Sequence, residues 1–288
     1  MWGLDNAWRE RLLAYQQLIL GLSGGLDSTV LLHLIASDKA LSTQLQAVHV
    51  NHGLSPNADA WQAHCEAVCL QLGVKCISKT IQLERTSNLE ATARDARRAI
   101  FCDLMQASDC VLLAHHQDDQ AETVLLNLMR GTGIDGLAAM PCIKPFGQGH
   151  LARPLLNHTR DALYAYAMHH QLTWIEDESN QDTHFSRNYV RHEIIPRLKA
   201  RWPAAVNAIN TCATHASTAK QSLDELARLD CPELARALPM LSLLPLYDLS
   251  LPRLTQVLRV WFVRLGMKSP TQKVLNRLVC DVIFSKPD

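Results

Sequence analysis

No stretch of this 288-residue sequence is apolar for long enough to span a membrane, and Trp8-Arg9-Glu10-Arg11 breaks its N-terminal stretch. The sequence therefore predicts neither a transmembrane helix nor a signal peptide. A net charge is missing as well: 28 Lys+Arg balance 28 Asp+Glu, so any nucleic-acid surface must be local. Nine cysteines occur without a single C-x-x-C. An odd number without paired spacing predicts free thiols in a reducing cytoplasm. Cys65 and Cys69, one helical turn apart, read as core packing rather than metal ligands. The remainder, 48% apolar and 19% charged, fits a soluble globular protein long enough for two domains.

The stretch with most chemistry in it is Leu18 to Leu34, LILGLSGGLDSTVLLHL. An apolar run stops at Ser23-Gly24-Gly25-Leu26-Asp27-Ser28 and resumes at Thr29. This predicts a buried strand, a tight glycine turn and a helix beginning near Asp27 or Ser28. Paired glycines allow a sharp turn and close approach of another group. The free N–H groups and dipole of the helix N-terminus favour an anion there, typically phosphate. Two glycines alone would also suit an ordinary capped corner; Ser23, Asp27 and Ser28 favour the phosphate. No Lys-Ser/Thr pair follows, which excludes a Walker loop.

Further strands are expected at Leu45–Val50, Val74–Ile81 and Cys110–Ala114, separated by helices over about 57–72 and 88–106, after a short leading helix within 2–16. Alternation of this kind predicts an α/β fold with a parallel sheet covered on both faces. Ligands of such sheets bind at the carboxyl ends of the strands. That rule gathers Ser23–Ser28, Val48–Leu54 and His115–Asp119 into one crevice. In the last group, His115-His116-Gln117-Asp118-Asp119-Gln120-Ala121-Glu122-Thr123 opens a helix running to a glycine cap at Gly131. Asp118 and Asp119 fall in its first turn, and Asp119 and Glu122 share a face. Capping acids would explain any one of them; the whole cluster beside a phosphate loop points to function, with hard carboxylates suited to Mg2+.

Arg130-Gly131-Thr132-Gly133 reads either as a turn approaching a ligand or as a simple C-cap. Arg153 is held extended by Pro154. A helix is expected from Thr159, its cap, to His170, and a short strand at Leu172–Ile175. Glu176-Asp177-Glu178 could receive an ammonium group or be a solvated loop. From Phe185 to Arg201, five Arg/Lys face one acid, Glu193. That run suits phosphate-backbone contact or a solvated helix face equally. A helix follows Pro203 to about Leu229. Pro232, Pro239, Pro245 and Pro252 then divide the chain before helices at about Arg253–Leu265, capped by Gly266, and from Thr271. We therefore expect a catalytic domain at 1–203, a linker helix at 204–232 and a small helical module at 233–288.

The Ser23–Ser28 loop closely resembles the pyrophosphate (PP) loop, SGGxDS, of the ATP-pyrophosphatase superfamily. Adding Val48-His49-Val50-Asn51-His52-Gly53-Leu54-Ser55, HHQDDQAET at 115–123, Arg130–Gly133 with Gly136-Leu137, Arg153-Pro154-Leu155-Leu156, Glu176–Asn180 and Arg187-Asn188-Tyr189-Val190-Arg191, the chain resembles the tRNA(Ile)-lysidine synthetase family over roughly 18–203. One departure is Arg98, where the family usually has an aromatic after Ala96-Arg97. The absent C-x-x-C argues against the sulfur-transferring, iron–sulfur members of the superfamily. Family members commonly continue into a further C-terminal tRNA-binding domain, which this sequence, ending at Ser285-Lys286-Pro287-Asp288, is expected to lack.

The resemblance implies ligation of lysine to the wobble cytidine of a CAU-anticodon tRNA(Ile) through an adenylated intermediate, with ATP and Mg2+, changing the tRNA from methionine to isoleucine identity. It implies phosphate binding by Ser23, Gly24, Gly25, Leu26, Asp27 and Ser28, and adenine near the backbone of Val48, His49 and Val50. Asp27, Asp118 and Asp119 become candidates for catalysis, with Asp27 and Asp118 for metal and Arg130 for phosphate charge. Glu122, Arg94, Arg153, Arg187 and Arg191 are the further candidates for substrate or tRNA contact. The resemblance tips the basic run toward tRNA. A homodimer is left open. A GMP- or NAD-synthase-like enzyme is the rival of the same chemistry, and a nucleotide-binding tRNA chaperone the rival of another class.

Overall fold

A computed structural model describes residues 3–53, 55–81, 89–236, 240–267 and 269–284. Leu54, the helix start at Asn88, Pro239 and the end at Ser285–Asp288 lie outside the described residues. The chain divides into two units, one of residues 1–131 and 139–211, the other of 132–138 and 212–288.

The first unit opens with α1 (Asn6–Leu13), capped by Asp5, whose Oδ1 accepts from Trp8 N at 2.7 Å. Then come β1 (Gln17–Gly21), α2 (Leu26–Ala36), β2 (Leu45–Asn51), α3 (Ala58–Gln71), β3 (Lys75–Thr80), α4 (Leu89–Leu104), β4 (Asp109–Leu112) and α5 (Gln117–Met129). A short helix α6 (Ile134–Leu137) belongs to the second unit. Back in the first, a hairpin of β5 (Ile143–Phe146) and β6 (Gly149–Ala152) leads to α7 (Arg160–His169), α8 (Ser186–Tyr189), a π-helical turn (Val190–Ile194) and α9 (Ile195–Arg201). Thr159 caps α7 as expected, its hydroxyl accepting from Ala162 N at 3.2 Å.

The sheet order is β3-β2-β1-β4-β6-β5, parallel throughout except for the β5–β6 pair. The four predicted strands are present, and the hairpin extends the sheet beyond β4. Its turn at Gly147 has φ +54°, and the Gly147-Gln148-Gly149 signal for it lay in the sequence. The apolar run Leu18–Leu20 is fully buried because β1 is central, with helices on both faces. One face packs Leu31, Leu32 and Ile35 of α2 with Leu163 and Tyr166 of α7. The other packs Ile19, Val48 and Val111 against Phe101 of α4 and Met105 just beyond it. Leu172–Ile175 forms no strand: it lies outside the sheet, and Ile175 N–H donates to Gly24 O at 2.8 Å.

A helix α10 (Ala205–Asp230) runs from the first unit into the second, which also holds α11 (Leu251–Arg264) and α12 (Gln272–Leu278). Leu254, Val257 and Leu258 recur at helical spacing and bury their face with Ala227, Leu246, Leu275 and Ile283. Gly266 follows α11 at φ +75°, the left-handed position that a helix-ending glycine takes. No helix among the described residues is long and apolar enough to cross a membrane.

Candidate active site

The chain leaves β1, passes outward to β2 and β3, and returns to β4 on the other side of β1. This reversal opens a crevice at the carboxyl ends of β1 and β4. The loop after β1 and the start of α5 after β4 both lie there.

In the loop, Gly24 has φ +83°, a conformation costly for any residue with a Cβ. A Cβ there would also sit 2.7 Å from Ile175 Cδ1 and 3.0 Å from Cys65 Sγ. The loop is braced from within. Ser28 Oγ accepts from Ser23 N at 3.3 Å, lies 3.0 Å from Ser23 Oγ, and donates to Gly25 O at 3.0 Å. The first bond within α2 is Thr29 N to Gly25 O, so the N–H groups of Leu26, Asp27 and Ser28 have no helical partner. Leu26 itself packs in the core, so only its backbone can serve an anion. β2 supports the loop from the side: Leu22 N donates to Val48 O, and His49 Nδ1–H donates to Leu22 O, both at 2.9 Å. Burial lowers the pKa of His49, consistent with a neutral ring in that role. Val48 and Val50 are buried side chains, and β2 continues past Gly21, the last β1 residue, which pairs with Val48.

His116 links the two halves of the crevice. It caps α5, accepting at Nδ1 from Asp118 N at 3.2 Å, while its own N–H donates to Asp119 Oδ2 at 3.0 Å. With Nδ1 accepting, Nε2 carries the proton, and it lies 3.5 Å from both Asp27 Oδ2 and Asp119 Oδ2. Burial acts to lower the His116 pKa, but the hydrogen bond to Asp27 and the charges of Asp119, Asp27 and Asp118 outweigh it and raise the value. The sequence placed this histidine in the cluster without assigning it. Its signal was a second histidine immediately before the acids.

Asp119 and Glu122 are closed by two arginines. Arg187 Nη2 reaches Asp119 Oδ1 at 2.8 Å and its Nε reaches Glu122 Oε2 at 2.7 Å; Arg191 Nε reaches Glu122 Oε1 at 2.6 Å and its Nη2 reaches Asp119 Oδ1 at 3.1 Å. Burial pushes the Asp119 carboxyl up, but His116, Arg187 and His115 together bring it down to about 2. This arrangement corrects two expectations. Glu122 is fully buried with both oxygens paired, so it is not open to a metal or an amine. Arg187 and Arg191 turn inward to these acids and do not form an outer phosphate-binding face. Each pair, Asp119/Glu122 and Arg187/Arg191, has the spacing of one helix face, but nothing along the chain says that the two faces meet.

Other candidates are placed differently again. Asp118 accepts Lys199 Nζ at 3.3 Å on Oδ1 and Arg160 N at 3.0 Å on Oδ2. Asp27 Oδ1, by contrast, is buried without a protein partner. Among the described residues no three His, Cys, Asp or Glu are grouped to hold a metal. Of the two acids expected to bind Mg2+, Asp27 has the unpaired oxygen, whereas Asp118 is already engaged. Arg153 is buried, donating from Nε to His115 Nδ1 at 3.3 Å and from Nη1 to Pro141 O at 2.8 Å, which removes it from any RNA-facing surface. Burial lowers Arg153 to about 10 and His115 to about 4. Arg130 is exposed at the far end of α5, roughly 16 Å along the axis from Asp119, so the structure does not bring it to the cluster. Arg94 is exposed on α4, with Nε 3.6 Å from its neighbour Asp95.

A family model described as "PP-loop domain" matches residues 4–198, and one described as "TilS substrate binding domain" matches 241–288. A tRNA(Ile)-lysidine synthase of Legionella pneumophila (strain Paris) is 49% identical over 285 residues, covering 99% of this chain and 66% of the relative. The Pseudomonas fluorescens (strain Pf0-1) protein of that name is 51% identical over 215 residues, covering 73% and 48%. That of Actinobacillus pleuropneumoniae serotype 3 (strain JL03) is 37% identical over 286 residues, covering 99% and 68%. The chain thus spans between about half and two thirds of the length of these curated relatives. Among solved structures, the U34-tRNA thiolase NcsA from Methanococcus maripaludis matches with a TM-score of 0.59 at 20% identity, covering 71% of this chain and 73% of that one, a likeness of fold alone. With a glycine-turned loop at the mouth of β1, the histidine–acid cluster opposite it and these relatives, the chain belongs to the tRNA(Ile)-lysidine synthase family of PP-loop proteins.

Proposed function

We propose that the protein ligates lysine to C2 of the wobble cytidine in the CAU anticodon of tRNA(Ile), with ATP as the activating substrate. The observation that carries the reading is one crevice holding both a phosphate-shaped loop and an acid cluster that already accepts an ammonium, Lys199 on Asp118. The cytosine O2 attacks the α-phosphorus of ATP and pyrophosphate leaves. The lysine ε-amine then attacks C2, AMP departs with the former O2, and the amine proton is lost to a carboxylate or water. Adenylation turns a poor leaving group into a good one. The protein's contribution is positioning and charge stabilisation.

Within this reading, Ser23, Gly24, Gly25 and Ser28, with the first-turn N–H groups of α2, take the ATP phosphates. Adenine lies against β2 at Val48–Val50, where that strand has run past β1. Asp27, through its unpartnered Oδ1, would hold Mg2+ together with the nucleotide's phosphates, the usual mode of few carboxylates plus phosphate oxygens. The ion would neutralise charge on the phosphates. His116 keeps Asp27 and Asp119 in register, and the lysine amine takes the place of Lys199 on Asp118 Oδ1. Residues 1–203 act as the ATP-binding catalytic domain, 204–232 as a linker helix and 233–288 as a small helical module contacting tRNA.

The test is incorporation of labelled lysine into a CAU-anticodon tRNA(Ile) transcript in the presence of ATP. The expected result is lysine-dependent incorporation with release of AMP and pyrophosphate. Its absence, with tRNA still retained on a filter, would sink the ligase reading in favour of a tRNA-binding chaperone. Asp27→Ala should abolish pyrophosphate release while tRNA retention stays within about twofold of wild type. Equal loss of both would make Asp27 a structural residue.

A further inference from the structure

The segment 185–191 sorts its side chains by face. Phe185 and Tyr189 are one turn apart, Tyr189 N donating to Phe185 O at 2.9 Å. At about 100° per residue they point away from Arg187 and Arg191. The two arginines go inward to Asp119 and Glu122, and the two rings stay outside, 42% and 47% exposed. Trp202 follows at 59%, with the Arg201 guanidinium 5.7 Å from its ring centroid. Among the described residues of the first unit, these are three of the four large exposed aromatic side chains; the other is Tyr164.

A single exposed ring is ordinary on a protein surface. Three within one short basic stretch are not explained that way. The same stretch holds Arg197, Lys199 and Arg201; Lys199 is taken by Asp118, and Arg197 meets Glu193 at 3.0 Å in an exposed pair that a phosphate can replace. Rings interleaved with cations are the composition that binds single-stranded nucleic acid, because every base has a face to stack and every phosphate a charge to pair. The inner face of the same helical turn carries Arg187 and Arg191 to the acid cluster. A base stacked on the outer face would therefore lie about one helix diameter, roughly 10 Å, from Asp119.

We propose that Phe185, Tyr189 and Trp202 form a stacking platform for unpaired bases flanking the reacting one in the substrate RNA loop, with Arg197 and Arg201 set against its phosphates. The inference rests on the lysidine reading for the identity of that RNA.

An anticodon stem–loop of tRNA(Ile) with 2-aminopurine in place of a loop base is titrated with the full chain. Stacking quenches the probe. Phe185→Ala, Tyr189→Ala and Trp202→Ala should each weaken binding by about fivefold or more and relieve the quenching. Tyr189→Phe, which keeps the ring, should retain both, and binding of a non-hydrolysable ATP analogue should not change in any variant. If an alanine variant loses analogue binding, the leucine variant at that position, apolar but without a π face, is read instead. Unchanged affinity and quenching in the ring variants overturns the platform while lysine incorporation by wild type leaves the ligase reading intact. Intact ring-dependent stem–loop binding without lysine incorporation does the reverse. Ring variants that keep RNA affinity but lose a concentration-dependent dimer on sedimentation assign the face to a second copy and also overturn the platform.

Discussion

Glu122 shows how far a single buried carboxylate can organise a site. It is fully buried, and its two oxygens face Arg187 and Arg191 across bonds of 2.7 and 2.6 Å. Removing one partner of such a group leaves the others' charge uncompensated in a poorly solvated place, a loss larger than the net worth of the pair. We expect Glu122→Ala to destabilise the protein by about 3 kcal/mol or more, read as a lowered urea midpoint at unchanged slope. Glu122→Gln, which keeps one acceptor and the shape, should cost less. A midpoint within about 0.5 kcal/mol of wild type for the alanine variant would mean the arginines are held by Asp119 alone. Glu122 was legible in the sequence as an acid on the Asp119 face. That it is spent on arginines was not, because its partners lie 65 and 69 residues away.

At the scale of elements, the loop between β1 and α2 depends on a segment that is itself no element. Ile175 donates its N–H to Gly24 O at 2.8 Å, and its side chain fills the space where a Cβ on Gly24 would go. Gly24→Ala therefore meets a left-handed φ and a contact at 2.7 Å together. The φ alone costs about 1–2 kcal/mol. We expect at least tenfold weaker binding of an ATP analogue, measured by calorimetry. Adding Ile175→Ala should restore the steric part and leave the φ part. An analogue affinity unchanged in Gly24→Ala would remove the loop from the nucleotide site. Leu172–Ile175 has strand-like composition, yet the sheet has no edge for it there; its polar partner is the loop. Conversely β5 and β6 do not stand out in the sequence because Lys144, Pro145, Gly149 and His150 interrupt them, whereas the equally short β4 opens a continuous apolar run.

For the whole molecule, histidines that the fold partly or wholly buries set the response to acid. Burial lowers His115 and His52 to about 4, with the Arg97 charge adding to the effect at His52, and it also lowers His33, His49 and His158. The folded form then refuses protons that the unfolded chain accepts below its ordinary value near 6.5. Stability is lost as pH falls from about 6.5 to about 4. Asp119, held at about 2, adds a loss as pH falls from its ordinary 3.8 toward 2. His116 works in the opposite sense: its raised value gives stability that is complete below the ordinary pKa and lost as pH rises through the folded one. We expect the thermal midpoint to fall between pH 6.5 and 4 at constant ionic strength, and His52→Asn to flatten part of that slope. A midpoint independent of pH over this range would show that these rings are protonated in the folded state.

By itself the sequence determined what depends on neighbours along the chain. Periodicity and turn residues defined the four central strands, the helices between them, the glycine turn at Gly24 and the caps at Thr159 and Gly266, because hydrogen bonds within a helix and allowed φ values are local matters. The order of motifs pointed to the family. Tertiary structure alone decided which charges meet. It turned Arg187, Arg191 and Arg153 inward, left Arg130 at the far end of α5, engaged Asp118 with Lys199 and left Asp27 Oδ1 buried and unpaired. An ion pair is a matter of distance in space, and spacing along a chain reports that distance only within one element. The loop at Ser23–Ser28 could be read from its residues; the company it keeps could be read only from the fold.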